Sequence, residues 1–113
     1  MSETFARLHE VIEQRKAAPQ EGSYTCYLFE KGPDKILKKC GEECAEMIIA
    51  AKSLDGSEEK RADLCGEVAD LAYHVMVLLS ALEVSPEEVA AVLDGRAAKI
   101  GNLKKFHVSD HNS

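Results

Sequence analysis

Tryptophan is absent from this chain, and phenylalanine and tyrosine together supply only 5% of its 113 residues. So few aromatics argue against a surface that stacks nucleic-acid bases. Basic charge is also short, with 14 Lys and Arg against 20 Asp and Glu, a formal net charge of -6. An acidic chain of this kind is a poor general nucleic-acid binder, and no nucleic-acid partner is expected. Long hydrophobic runs are missing. The longest, Val75 to Leu82 with Ser80 inside it, is too short to cross a bilayer, and no apolar run follows Met1. The expectation is a soluble, cytoplasmic protein with no membrane partner. Four cysteines, Cys26, Cys40, Cys44 and Cys65, show no CxxC spacing and should be free thiols in a reducing compartment. No Walker-type glycine loop, Ser/His/Asp set or Cys/His set stands out. Strand alternation appears nowhere at convincing length.

What remains is helical. Hydrophobic residues make up 45% of the chain, enough for one globular core in a domain of this length. Residues 1–100 read as one all-α domain of four to five helices, and 101–113 as a polar tail. Phe5, Leu8, Val11 and Ile12 recur at helical spacing between Thr4 and Lys16. After a break around Pro19 and Gly22, Ser23 to Phe29 forms a short connecting segment, closed by Gly32-Pro33. Asp34 is a good N-cap for a helix running to about Leu54, with Ile36, Cys40, Cys44, Met47, Ala51 and Leu54 as its apolar stripe. A further helix spans about Ser57 to Glu83, lined by Leu64, Val68, Leu71, Val75, Leu78 and Leu82. Its last turns are apolar nearly all round, so it should be buried on most sides. Ser85-Pro86-Glu87-Glu88 combines an N-cap serine, proline at N1 and glutamate at N3, and opens a helix to about Ile100.

Two acidic patterns sit on the two long helices: Glu42-Glu43-Cys44-Ala45-Glu46 and Glu67-Val68-Ala69-Asp70. Carboxylates three residues apart share one helix face. Two such faces brought together repel each other and need a cation. Hard oxygen ligands suit Mg²⁺, with Mn²⁺ as the alternative, and Mg²⁺ held by carboxylates commonly accompanies a phosphate. A single pair could be a solvated acidic face. Two pairs, each flanking an apolar stripe, favour a metal. A di-iron site is disfavoured because the Glu-x-x-His motif is missing: Ile49 follows Glu46 at that spacing, and Asp70 follows Glu67.

Lys31, Lys35, Lys38 and Lys39 form a basic run. Lys35 and Lys39 share a helix stripe with Glu46, which would place cations beside the acids to hold phosphate oxygens. Cys40 and Cys44 are four apart, but they fall within the apolar stripe and read as small buried residues rather than zinc ligands. For His74, a satisfied interior histidine and a substrate contact stand side by side.

The run Ser23-Tyr24-Thr25, Leu28 to Gly32 and Asp34 to Glu43, continuing through Glu46, Glu67 to His74 and Leu93 to Arg96, resembles the phosphoribosyl-ATP pyrophosphohydrolases of histidine biosynthesis. The similarity covers roughly Phe5 to Gly101. The acidic pattern alone also marks the wider MazG-like all-α NTP pyrophosphatases. The resemblance implies a helical bundle completed by homodimerisation. It implies hydrolysis of phosphoribosyl-ATP to phosphoribosyl-AMP and pyrophosphate. It also implies Mg²⁺ on Glu43, Glu46, Glu67 and Asp70. Glu42, the spare acid, is then the candidate for activating water. Lys31, Lys35 and Lys39 are candidates for holding phosphate, Ser23, Tyr24 and Thr25 for contacting phosphate or ribose, and Arg96 for a phosphate or a structural ion pair. A broader NTP pyrophosphatase and a non-catalytic helical dimer are the alternatives.

Overall fold

A hairpin of two long helices carries the molecule. The computed structural model describes residues 2–100. Among them are five helices and no strand: α1 (Ser2–Ala17), α2 (Tyr24–Lys31), α3 (Pro33–Lys52), α4 (Glu58–Ala81) and α5 (Pro86–Ile100). The tail assigned to 101–113 lies outside the described residues. α3 and α4 are joined by a short turn and make the largest helix–helix contact of the fold. The turn is built to start α4: Ser57 caps it, its side chain accepting from the Lys60 amide at 3.2 Å. Ser85 and Glu88 exchange side-chain-to-amide bonds at 2.8 and 3.3 Å, the capping box that opens α5.

Two expectations are corrected at α2. The segment after Ser23 is a helix, not a connection. Ser23 is its N-cap, with its hydroxyl 3.2 Å from the Cys26 amide. α3 is capped by Gly32 and not by Asp34, which falls in the first turn. The reason is Pro33 at the first helical position, where its fixed φ suits a helix and its missing N–H costs nothing. Gly32, at φ 90° and ψ 179°, ends α2 and begins α3 within one residue. That backbone region is essentially restricted to glycine.

Ile12, Leu28, Ile36, Met76 and Val77 form the buried core, with Leu8, Phe29, Cys40, Tyr73, Leu78 and Ala81 packed around it. These residues place α1 and α2 against the start of α3 and the end of α4. Ser80 is buried in this region and satisfied: its hydroxyl donates to the Glu13 carboxylate, and Lys16 Nζ donates to its carbonyl at 2.6 Å.

The inner faces of the hairpin differ from the predicted stripes. On α3 the inward line runs Ile36, Cys40, Glu43, Met47 and Ala50, while Cys44, Ala51 and Leu54 are exposed. On α4 it runs Leu64, Glu67, Leu71, His74, Leu78 and Ala81, while Val68, Val75 and Leu82 are open to solvent. Each helix keeps half of its expected stripe in the seam, Ile36, Cys40 and Met47 on α3 and Leu64, Leu71 and Leu78 on α4, and is turned partway toward the neighbouring stripe. Each has apolar residues on two faces, and hydrophobicity alone does not choose between them. The acids Glu43 and Glu67 consequently lie in the seam rather than beside it. α4 is long and apolar enough to cross a membrane by length and composition, but it packs against α1, α2 and α3 as the central helix of the bundle.

Candidate metal and nucleotide site

The hairpin sets the acids opposite one another. Glu43 lies nine residues before the end of α3 at Lys52, and Glu67 nine residues after the start of α4 at Glu58. Equal distances from the turn bring them level. Glu46 is one helical turn nearer the loop, and one carboxylate oxygen from each of Glu43, Glu46 and Glu67 lies within 4.8 Å of the others. Asp70 stands one turn further along α4 and is exposed, outside this group of three. Glu43 is 7% exposed. Its Oε2 and the Oε2 of Glu67 are buried without a hydrogen-bond partner.

Unpartnered buried anionic oxygens are costly, and mutual repulsion adds to the cost. A cation at their meeting point relieves both. Three hard oxygens on rigid helices, with Asp70 one turn away, match the donor set that Mg²⁺ accepts, so the residues present fit the ion. A groove of about 270 Å³ opens beside the cluster, lined by Glu46, Ile49, Ala50, Ser53, Lys60, Asp63 and Glu67. Lys60 is the one cation on that lining, and it was absent from the sequence-derived set. It sits two turns before Glu67 on the same helix face, a spacing that could have revealed it.

The other expected site residues distribute as follows. Lys39 Nζ lies 3.5 Å from both Glu42 and Glu43. Partial burial pulls its pKa down, but the opposing charges of Tyr24, Glu42 and Glu43 outweigh this and leave it above its ordinary value. Glu42 is solvent-exposed beside the cluster and outside it. Lys35 stands one turn before Lys39. Lys31 lies with Nζ 5.8 Å over the ring of Tyr27, a cation–π contact. Ser23 is occupied as a helix cap, and Thr25 Oγ1 is 2.5 Å from the Tyr73 hydroxyl. Arg96 is exposed on α5, which has no extensive packing against the other helices, and it does not line the groove.

His74 is 5% exposed with both ring nitrogens engaged. Nδ1 is 2.7 Å from the Asp70 carbonyl and Nε2 is 3.0 Å from the Tyr24 hydroxyl. A carbonyl only accepts, so Nδ1 carries the proton, and in the neutral ring Nε2 accepts from Tyr24. The reading of His74 as a satisfied interior histidine is thus the one its geometry fits.

All four cysteines are free. Cys40 is half-buried, and burial pushes its thiol pKa up, with Glu43 adding to the rise. The expectation that Cys44 is buried is corrected: it is exposed on the outer face, as is Cys65. Cys26 is drawn below the ordinary thiol range by the Ser23 hydroxyl, then by the Gln20 amide.

Residues 5–97 match the family model described as phosphoribosyl-ATP pyrophosphohydrolase. The chain is 53% identical over 92 residues to the phosphoribosyl-ATP pyrophosphatase of Pelotomaculum thermopropionicum, covering 81% of this chain and 89% of that one. It is 47% identical over 104 residues to the phosphoribosyl-ATP pyrophosphatase of Clostridium acetobutylicum, covering 92% of this chain and 90% of its relative. The protein of the same name from Lactiplantibacillus plantarum is 49% identical over 102 residues, with 90% and 92% covered. A match this long, spanning the capped α2, the hairpin and its acids, makes the chain a member of the phosphoribosyl-ATP pyrophosphohydrolase family.

Proposed function

We propose that this protein hydrolyses phosphoribosyl-ATP to phosphoribosyl-AMP and pyrophosphate, a step of histidine biosynthesis, in the cytoplasm. The observation that carries the reading is the carboxylate cluster at the seam of α3 and α4, with two buried oxygens lacking partners. Glu43, Glu46 and Glu67 would hold Mg²⁺, or Mn²⁺ in its place, with Asp70 joining from the next turn. When bound, the ion supplies charge neutralisation for the triphosphate and its leaving group.

The remaining chemistry belongs to the side chains. Water attacks the α-phosphorus, the bond from that phosphorus to the bridging oxygen breaks, and pyrophosphate leaves with the electron pair. Glu42, the acid beside the cluster, takes the water's proton. Lys39, kept charged by its acidic neighbours, attracts phosphate from one side of the cluster, and Lys60 does so from the groove. Lys35 extends the first of these cationic edges.

The working unit is a homodimer. Val68 and Val75 on α4 and Leu82 at its C-cap are 45%, 37% and 51% exposed, and Ile48 and Ile49 on α3 are 53% and 65% exposed. Val89, Val92 and Leu93 of α5 add a third uncovered apolar strip. The Cα radius of gyration is 16.5 Å, against about 13 Å for a compact domain of 100 residues. A second copy packed about a two-fold axis would cover these faces.

Incubation with Mg²⁺ and a panel of phosphoribosyl-ATP and ordinary NTPs, with pyrophosphate release as the readout, tests the reaction. Rapid release from phosphoribosyl-ATP and slow release from ATP is the expected result. Equal rates on both would assign a general NTP pyrophosphatase instead.

A further inference from the structure

The chain has three tyrosines, and folding gathers all of them into one group. Tyr24 and Tyr27 lie three residues apart on α2, with ring centroids 6.0 Å apart and planes inclined by 23°. Tyr73 of α4 continues the row at 6.2 Å and 27° from Tyr24. Near-parallel rings at such separations are offset rather than eclipsed. Tyr24 and Tyr27 are 44% and 39% exposed. In a chain so poor in aromatics, two tyrosines this exposed, neighbours on one helix, call for an occupant.

The row is fixed to the acid-bearing helix. Buried His74 accepts from the Tyr24 hydroxyl at 3.0 Å and donates to the Asp70 carbonyl at 2.7 Å. Its ring meets Tyr24 and Tyr73 edge-on, at 77° and 84°. Tyr24 is also near the charged part of the site. Burial raises the pKa of its phenol, Lys39 opposes the rise, and Glu43 adds to it. Lys39 in turn is 3.5 Å from Glu43.

We infer that Tyr24 and Tyr27 form a shelf on which the purine base of the nucleotide stacks, with His74 as the positioning residue that holds Tyr24 in register with the acid cluster. The inference rests on the nucleotide reading above and extends it to the base. Stacking on an aromatic face needs no hydrogen-bond pattern, and it suits a large flat base next to a phosphate site. Lys31, whose Nζ lies over the Tyr27 ring 5.8 Å from its centroid, adds positive charge to the shelf.

The absence of tryptophan provides the test, because intrinsic emission comes from these three tyrosines alone. AMP, ribose 5-phosphate and pyrophosphate are titrated separately into the metal-free protein, with a tyrosine amide solution correcting for absorbance. AMP should quench saturably, and ribose 5-phosphate and pyrophosphate should not. Tyr27→Leu should raise both the half-quenching concentration of AMP and the KM for phosphoribosyl-ATP by about tenfold to a hundredfold, while Tyr27→Phe stays near wild type. His74→Leu should raise KM with kcat little changed, and a fall in kcat alone would remove its positioning role. No saturable quenching by AMP, or equal quenching by ribose 5-phosphate, overturns the shelf, and these wild-type readings need no variant to fold. Quenching by AMP without hydrolysis of phosphoribosyl-ATP keeps the shelf and removes the proposed activity. Hydrolysis with unchanged AMP binding in Tyr27→Leu keeps the activity and removes the shelf.

Discussion

Glu67 shows how a single residue can be both a fault in the fold and a candidate ligand. It lies on the inner line of α4, and one of its oxygens is buried with no hydrogen-bond partner. Glu43 faces it in the same condition, only one of its oxygens lying near Lys39. Without a cation, replacing one of these charges should relieve repulsion. Glu67→Gln is therefore expected to melt at a higher temperature than wild type in EDTA. It should lose the Mg²⁺-induced rise in melting temperature, and turnover should fall by more than about a hundredfold, beyond what outer-shell changes usually produce. Thermal melts with and without Mg²⁺, beside a pyrophosphate assay, check this. A variant less stable than wild type in EDTA, yet still stabilised by Mg²⁺, would contradict the seam placement.

At the scale of elements, the junctions before and after α3 position everything else. Gly32 joins α2 to α3 with a backbone that side-chain-bearing residues adopt only under strain. Space is not the obstacle, since an added Cβ would meet nothing within 4 Å. Gly32→Ala should accordingly cost roughly 1–3 kcal/mol in denaturant unfolding through conformation alone. Stability unchanged within error would refute the assignment of strain.

After α3, Asp55 Oδ1 accepts from the Ser57 amide at 2.9 Å, arranging the residue that caps α4. The Ser57 side chain, then its amide, hold the Asp55 carboxyl below its ordinary pKa. A depressed carboxylate favours the fold above its unfolded value of about 4, and that contribution is lost as pH falls through the lower, folded value. Asp55→Asn should therefore show a shallower fall in melting temperature between about pH 5 and 2 than wild type. Parallel curves for the two proteins would exclude the linkage.

For the whole molecule, the uncovered faces decide what is stable. The core of one chain is small and occupies the end of the hairpin reached by α1 and α2, leaving Val68, Val75 and Leu82 open along α4. Val75 is exposed and, two positions after Tyr73, falls on the far side of α4 from it by helical spacing, so a charge there addresses assembly without touching the proposed shelf. Val75→Glu is expected to shift sedimentation from dimer toward monomer and to lower activity in proportion to dimer content. A wild-type chain that sediments as a fully active monomer across a dilution series would remove the need for a partner.

Helix type and approximate extent were legible in the sequence because caps and breakers act locally: Ser57, Ser85-Pro86 and Gly32-Pro33 punctuate the chain wherever tertiary contacts fall. The acids were legible for the same reason, since a spacing of three fixes a shared helix face before any packing occurs. The helix after Ser23 was missed because an eight-residue helix is marginal by itself and is held here by tertiary contacts, with Leu28 fully buried. Which face of α3 and α4 turned inward was also beyond the sequence. Both helices carry apolar residues on two faces, and the choice between them was made only when the helices packed on one another. That choice put Glu43 and Glu67 into the seam, left Cys44 outside it, and brought three tyrosines from two helices into one row. The sequence alone determined the elements and the presence of paired acids. The tertiary structure decided their facing, because it depends on a balance of buried area between faces that only the assembled helices can strike.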